Sequence, residues 1–166
     1  MPAGSTYTPI ATTTLGSAAT SYTFSSIPTT YTDLILVLNG SFDAFNNVRF
    51  QVGNGSVDTG SNYSVTRLLG DGSAGQSDRV SNATGGYVIT INTNQVMGVM
   101  HFQNYSNTTT YKTILARGGA PGTSDYVSAN VNLWRSTSAI NTIKIYPNSG
   151  NMNTGTTLTL YGLAAA

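Results

Sequence analysis

Apolar residues recur at every second position along much of the chain, which predicts β-strands with one buried face. The last such stretch shows the pattern most clearly, because Ile143 and Ile145 alternate with polar-tipped residues and Leu158 and Leu160 do the same further on. Between the two runs lies PNSGNMNTG, which is rich in turn-forming residues. We therefore predict that residues 140–163 form a hairpin that closes the sheet.

The rest of the chain contains further runs of the same kind, separated by turn residues. Predicted strands lie at Thr6–Leu15, Ser21–Ile27, Asp33–Phe42, Val48–Gly55, Asn62–Gly70, Gly86–Asn92, Val96–Tyr105, Tyr111–Gly118 and Asp125–Trp134. Pro9 has no amide hydrogen to donate, so the first strand is expected at a sheet edge or at a bulge. The remainder of Ser56–Gly86 is loop-rich, with room for a short helix at 73–83.

The most hydrophobic strand, Asp33–Phe42, has apolar residues on both faces. Such a strand is either central to the fold or has one face against a partner, and the sequence leaves both alternatives open. The spacing of the strands predicts an all-β fold, an antiparallel β-sandwich of the jelly-roll kind with about eight to ten strands. We expect one domain over residues 1–166, in which residues 1–15 form an N-terminal arm or edge strand.

The composition supports this fold and limits the classes of partner that we expect. Charged residues make up 8% of the chain, which contains no glutamate, whereas Thr, Ser, Asn and Tyr are abundant. Such residues suit strands and turns, and so little charge gives weak repulsion between copies, as suits a protein in a large assembly. The net charge is +1 and the seven basic residues are scattered singly. The clustered positive charge of a nucleic-acid interface is absent, so no nucleic-acid partner is predicted.

Targeting and redox signals are also missing from the sequence. The chain has no cysteine, which excludes disulfides and thiolate metal ligands. Its first residues contain neither a basic region nor an apolar run, and no stretch approaches the ~20 apolar residues of a membrane helix. We therefore expect no membrane partner, and a protein that stays in the cytoplasm where it is made or leaves by lysis or within a particle.

Candidates for catalysis and metal binding are few. His101 is the single histidine, and neither an orienting carboxylate nor a nucleophile can be identified for it. Asp residues at 58–78 could supply a glycosidase pair, but their Asp-Gly and Asp-Thr-Gly contexts favour turns. Asp71, Ser73 and Asp78 could ligate calcium, yet their spacing matches no calcium loop. We predict a non-enzymatic protein without catalytic residues, cofactor or metal.

Aromatic residues are the remaining candidates for binding. The chain has ten tyrosines and one tryptophan, and Tyr63, Tyr105, Tyr111 and Tyr126 lie near predicted loop ends, where binding surfaces are commonly built. Sugars stack on exposed aromatic faces, but tyrosine is equally common in sheets and at subunit interfaces. We favour sheet or subunit contacts over a glycan site, which stays as the alternative.

Three stretches of the chain, taken in order, resemble a known family. TFSSIPTTYTDLILVLNG (Thr23–Gly40) is similar to an N-terminal pattern in virion structural proteins of tailed bacteriophages, those of cyanophages especially. GSNYSVTRLLGDGS (Gly60–Ser73) and INTIKIYPNSGNMNTGTTLTLYGL (Ile140–Leu163) resemble the rest of that pattern. The family includes capsid decoration proteins and tail or fibre components.

The resemblance implies a capsid decoration (cement) protein of the jelly-roll type. It would bind the outer surface of the major capsid protein, self-associate as a homodimer or homotrimer, and lie on the capsid surface of a virion after synthesis in the host bacterial cytoplasm. The alternative is a lectin-like module of a tail fibre or baseplate that binds host-surface glycans.

Contacts with a partner are expected from the N-terminal arm Ala3–Ile10, the loops within Ser56–Gly86 and the aromatic tips. The candidate contact residues are Tyr7, Pro9, Ile10, Tyr63, Arg67, Tyr105, Tyr111, Tyr126 and Trp134.

Overall fold

The computed structural model describes residues 6–44, 46–91, 95–120 and 126–164. Within these ranges the chain forms thirteen β-strands and no helix, and so no helix that could cross a membrane. The strands are β1 (Tyr7–Thr14), β2 (Tyr22–Phe24), β3 (Asp33–Gly40), β4 (Asn46–Asn54), β5 (Ser56–Val57), β6 (Tyr63–Gly70), β7 (Gly75–Ala83), β8 (Gly86–Ile91), β9 (Val96–Phe102), β10 (Lys112–Ala120), β11 (Tyr126–Trp134), β12 (Thr142–Pro147) and β13 (Thr157–Leu163).

The strands form two antiparallel sheets. The larger has eight strands in the order β1-β13-β3-β9-β10-β11-β6-β7, and the smaller has the order β2-β12-β4-β5, with β8 also paired to β4. Two four-stranded units, β1-β13-β3-β9 and β2-β12-β4-β8, have the nested order of a jelly roll, because the last strand lies between the first and third and the one before it lies between the second and fourth. The predicted sandwich of the jelly-roll kind is confirmed.

Three details of the prediction are wrong. Residues 140–163 do not form a hairpin, because β12 pairs with β2 and β4 whereas β13 pairs with β1 and β3 in the other sheet. Period-two alternation identifies the buried face of a strand but not its neighbour, so a connection between sheets looks like a hairpin. The short helix at 73–83 is instead strand β7, and β7 and the short β5 bring the described strands to thirteen, more than the eight to ten expected.

The core lies between the two sheets. Leu34, Leu36 and Leu38 of β3 are fully buried opposite the smaller sheet, which contributes the buried alternate residues of β4 and β12. The Phe50 ring of β4 contacts the Phe102 ring of β9 edge-on, with centroids 5.8 Å apart. Burying each such side chain contributes about 1.5–3 kcal/mol. The predicted buried face of the strands in residues 140–163 is confirmed, because Ile143, Ile145, Leu158 and Leu160 are fully buried.

Strand β11 has an inverted pattern, with polar side chains inside and apolar ones outside. Ser128, Asn130 and Asn132 point into the sandwich and are buried. Asn132 forms a two-way bond with the backbone of Tyr87 in β8, accepting from its N–H at 2.8 Å and donating to its carbonyl at 3.1 Å. Asn130 donates to the Val88 carbonyl at 2.8 Å. These side-chain amides form the hydrogen bonds to the β8 backbone that a neighbouring strand would otherwise form.

The two open questions about β1 and β3 have definite answers. Strand β1 is the edge strand next to β13, and its register shifts between Pro9 and Ala11 as the proline predicted. Strand β3 is central, between β13 and β9. Its outward residues Ile35 and Val37 are half-buried on the outer surface of the larger sheet, so this strand has a core face and a second apolar face.

Candidate functional site

The outer surface of the eight-stranded sheet is apolar and exposed. Six of the seven large hydrophobic side chains that are exposed in the described chain lie there, from Leu115 at 39% to Val127 at 65%. We define the open face by the outward residues of this sheet, namely Tyr7, Ile35, Val37, Leu68, Met97, Val99, His101, Leu115, Arg117, Val127, Ala129 and Val131. Contiguous exposed apolar surface of this kind marks interaction sites.

Strand register assembles the open face from five segments that are distant in sequence. One row of paired residues runs Ile35, His101, Leu115, Val131 and Thr66 across β3, β9, β10, β11 and β6. The next row of outward residues begins at Val37 and ends at Leu68, with Arg117 of β10 at its middle position. Adjacent strands lie ~4.8 Å apart, so these two rows form one continuous surface across the sheet.

A trough of about 570 Å³ runs across this face from Tyr7 and Leu163 at one end to Thr66 and Leu68 at the other. It crosses seven neighbouring strands, from β1 to β6, a distance of about 29 Å. A second depression of about 550 Å³ over β11, β6 and β7 shares Leu68 and Ala129 with it. The trough is therefore long and narrow, and it fits one extended segment or one row of side chains.

Charge is distributed unevenly over the molecule. Within the described ranges every aspartate accepts a hydrogen bond, and five of the seven basic side chains have a hydrogen bond, an ion pair or an aromatic ring as partner. Arg117 and Arg79 have none among the described residues, and both lie on the outer side of the eight-stranded sheet. Among the described residues, the unpaired charge on this side of the molecule is therefore positive.

His101 has the carboxylate partner that the sequence did not identify. Its Nε2 lies 2.8 Å from Asp33 Oδ2, and Asp33 Oδ1 accepts the backbone N–H of Asn104 at 2.7 Å. Both side chains are partly exposed on the open face, at 32% and 23%. No serine or threonine hydroxyl in the described part of the chain is hydrogen-bonded to His101, so the arrangement lacks the nucleophile of a triad.

Three predicted contact residues are wrong because their side chains lie inside the molecule. Tyr63 and Tyr105 are fully buried and Trp134 is 3% exposed. The Tyr63 hydroxyl accepts the Val52 N–H at 3.0 Å, and burial raises the pKa of this phenol. Trp134 Nε1 donates to Asp58 Oδ2 at 2.8 Å. These aromatics join loops to the core and cannot contact a partner.

The other predicted contacts stay predictions, and their positions differ. Tyr7 and Pro9 are exposed on β1, and Tyr7 lines the trough, whereas Ile10 packs partly against the core. Tyr111 is 55% exposed and Tyr126 is half-buried at the start of β11. Residues 3–5 of the predicted arm lie outside the described ranges.

Arg67 is engaged within the molecule. It forms a two-pronged ion pair with Asp78, at 2.9 and 2.6 Å, and it stacks 5.4 Å from the Tyr87 ring. The hydrogen bonds from Arg67 hold the pKa of Asp78 below its ordinary value. Asp71 caps its own turn by accepting the N–H groups of Ser73 and Ala74. No group of three or more metal-ligating side chains occurs among the described residues.

Sequence reasoning missed the central residues of the open face: Leu68, Met97, Leu115, Arg117, Val127 and Val131. The signal was present in β11, where Val127, Ala129 and Val131 alternate with Ser128, Asn130 and Asn132. Alternation alone assigns the apolar set to the core. The reversed orientation depends on β8, whose backbone needs the inward asparagines.

Comparison with known proteins gives structural similarity that is weak. No protein-family model and no curated protein matches the chain. The crystal structure of galectin LEC-6 from Caenorhabditis elegans is similar over 93% of this chain and 96% of that chain, with 8% sequence identity and a TM-score of 0.36. A similarity of this size carries no inference about what this chain binds.

Proposed function

We propose that this chain is a non-enzymatic structural subunit of a tailed-phage virion, which decorates the capsid by binding the outer surface of the major capsid protein. The single observation that supports the proposal best is the open face. An isolated copy leaves this apolar surface in water, whereas a subunit of a large assembly buries it against protein. The sequence resemblance to virion structural proteins supplies the kind of assembly.

The mechanism of such a subunit is mass action. A protein that binds the assembled shell better than its dissociated parts stabilises the shell by its binding free energy. The low charge and the jelly-roll scaffold suit this role, because a rigid two-sheet core holds a flat array of side chains without reorganisation on binding. Fold alone would not distinguish this role from glycan binding.

A lectin-like role has less support from the residues described. It requires an exposed aromatic beside Asn and Asp side chains in a groove, but Tyr63 and Tyr105 are buried and every described aspartate is engaged internally. Among the described residues, Tyr7 is the aromatic side chain that lines the trough, and most of the other residues that line it are apolar. A glycan array probed with the purified protein tests this alternative.

The direct test is addition of purified protein to undecorated heads of the phage that encodes it. We expect saturable binding and greater resistance of the heads to heat. Val131→Glu, which places a charge on the open face, should weaken binding by at least about 30-fold, the effect of losing one interface hot spot. Thr23→Glu, at an exposed strand position of the smaller sheet, is the matched control and should bind normally. Absence of binding by the unaltered protein would contradict the proposal.

A further inference from the structure

The occupant of the open face must satisfy two features of that surface at once. The surface is a narrow apolar trough, and strand β10 within it carries a cation without a partner among the described residues, Arg117. Its paired neighbours are Val99 of β9 and Ala129 of β11, which offer no acceptor side chain. Burying a charged guanidinium in an apolar interface costs free energy unless the partner supplies a hydrogen-bond acceptor for it.

A second copy of the chain fits this surface poorly. Apart from Tyr7 at the β1 edge, the exposed apolar residues of this face lie on β9, β10, β11 and β6, with half-buried ones on β3, so β10 is central to this cluster. A two-fold contact centred there sets Arg117 of one copy close to Arg117 of the other, and like charges repel. The nearest carboxylate on this face, Asp33, is already occupied by His101 and the Asn104 amide.

We infer that the open face binds an acidic–apolar segment of another protein, with a row of apolar side chains in the trough and an aspartate or glutamate on Arg117. This inference rests on the proposed function and adds the chemistry of the partner. Arg79 lies three strands from Arg117, at the β7 edge of the sheet, and two residues further along the strand direction, which places it about 16 Å away. A second carboxylate at that spacing along the segment would also find a cation.

The length of the segment follows from the trough. A span of about 29 Å corresponds to about nine residues of extended chain. A guanidinium binds a carboxylate through two parallel hydrogen bonds, and partial desolvation by the flanking Leu115 and Val131 strengthens such a pair. The row of apolar side chains supplies most of the surface area that is buried on binding. The ion pair with Arg117 fixes the register of the segment in the trough.

The test is a display selection of random peptides of about nine residues against the purified protein, with counter-selection on Val131→Glu. We expect enriched peptides to carry Asp or Glu between apolar residues. Their affinity should fall about 10-fold for Arg117→Gln and about 100-fold for Arg117→Glu, and added salt should weaken binding to the unaltered protein alone. Lys144→Gln, which removes a cation from the other sheet, is the control and should not change affinity.

Two results would overturn the inference: no enrichment of acidic–apolar peptides, or enriched peptides that bind Arg117→Glu as well as the unaltered protein. Head binding separates this failure from failure of the proposed function. Heads that bind the unaltered protein and Arg117→Glu equally would retain the function and reject the partner chemistry. Selected acidic–apolar peptides with no binding to heads would retain the partner chemistry and reject the capsid as its source.

Discussion

Asp58 connects more of the molecule than any other described carboxylate. Its oxygens accept the Trp134 indole N–H, the Asn62 side-chain amide and the Gly60 N–H, each at 2.8 Å. Burial alone would raise the pKa of Asp58, but these three hydrogen bonds outweigh it and hold the pKa below its ordinary value of 3.8. The carboxylate thereby fixes the loop before β6 to the end of β11.

Removal of this carboxylate should be costly. Asp58→Ala leaves the buried indole N–H of Trp134 without its acceptor, and we expect a loss of about 2–3 kcal/mol in the free energy of unfolding. Urea unfolding followed by tryptophan fluorescence measures it, since the chain has one tryptophan. Asp71→Ala removes an exposed turn cap and is the control, with a much smaller expected loss. Equal losses for the two variants would contradict the role assigned to Asp58.

The same hydrogen bonds predict an acid dependence. Because the pKa of Asp58 in the folded state is lower than in the unfolded chain, folding favours the ionised form. The resulting stability is present above about pH 4 and is lost as the pH falls through the folded-state pKa. Asp58→Ala should therefore show a shallower decline of stability below pH 4 than the unaltered protein.

At the scale of elements, β11 joins the two sheets through side-chain amides. Buried polar groups cost free energy unless they are paired, and Asn132 is paired with Tyr87 of β8 and with the Ile114 carbonyl of β10. Gly86 permits this approach, because a Cβ there would overlap the Phe50 ring and crowd Asn132. The inward asparagines leave the valines and alanine of β11 on the open face.

Replacing Asn132 tests this role. Asn132→Leu leaves the Tyr87 N–H and carbonyl unpaired, so we expect a loss of about 2–4 kcal/mol in the free energy of unfolding and faster hydrogen exchange of the Tyr87 amide. Asn130→Ala, which removes one donor to the Val88 carbonyl, should cost about 1 kcal/mol. Unchanged exchange at Tyr87 in Asn132→Leu would show that β8 does not depend on this side chain.

The sequence predicts these elements well only where neighbouring residues differ strongly in polarity. Alternation of Ile and Leu with Thr, Lys and Tyr identified the inward faces of β12 and β13, because Ile or Leu occupies every second position in the middle of each strand. It missed β7, an edge strand of polar residues whose pairing partner is β6 alone. It could not place the open face, because period-two patterns do not distinguish an apolar residue in the core from one on an exposed sheet surface.

At the scale of the whole molecule, the two sheets have different surfaces. The smaller sheet carries Arg49, Tyr87, Lys144 and Tyr146 outward, with the Arg49 guanidinium 4.8 Å from the Tyr87 ring centroid. The Lys144 ammonium lies 5.4 Å from the Tyr146 ring, so both cations of this group contact aromatic rings on that sheet. The larger sheet has no such cover in the part of the chain described, and its exposed surface is apolar with unpaired cations. This asymmetry is what the proposed function requires of a protein that binds its partner through one side.

Immunogold labelling of intact virions with antibody to this chain tests the central proposal most directly. Gold distributed over the whole head is the predicted result, because a decoration protein covers the capsid surface in many copies. Gold confined to the tail would contradict capsid decoration, and so would the absence of gold from washed virions.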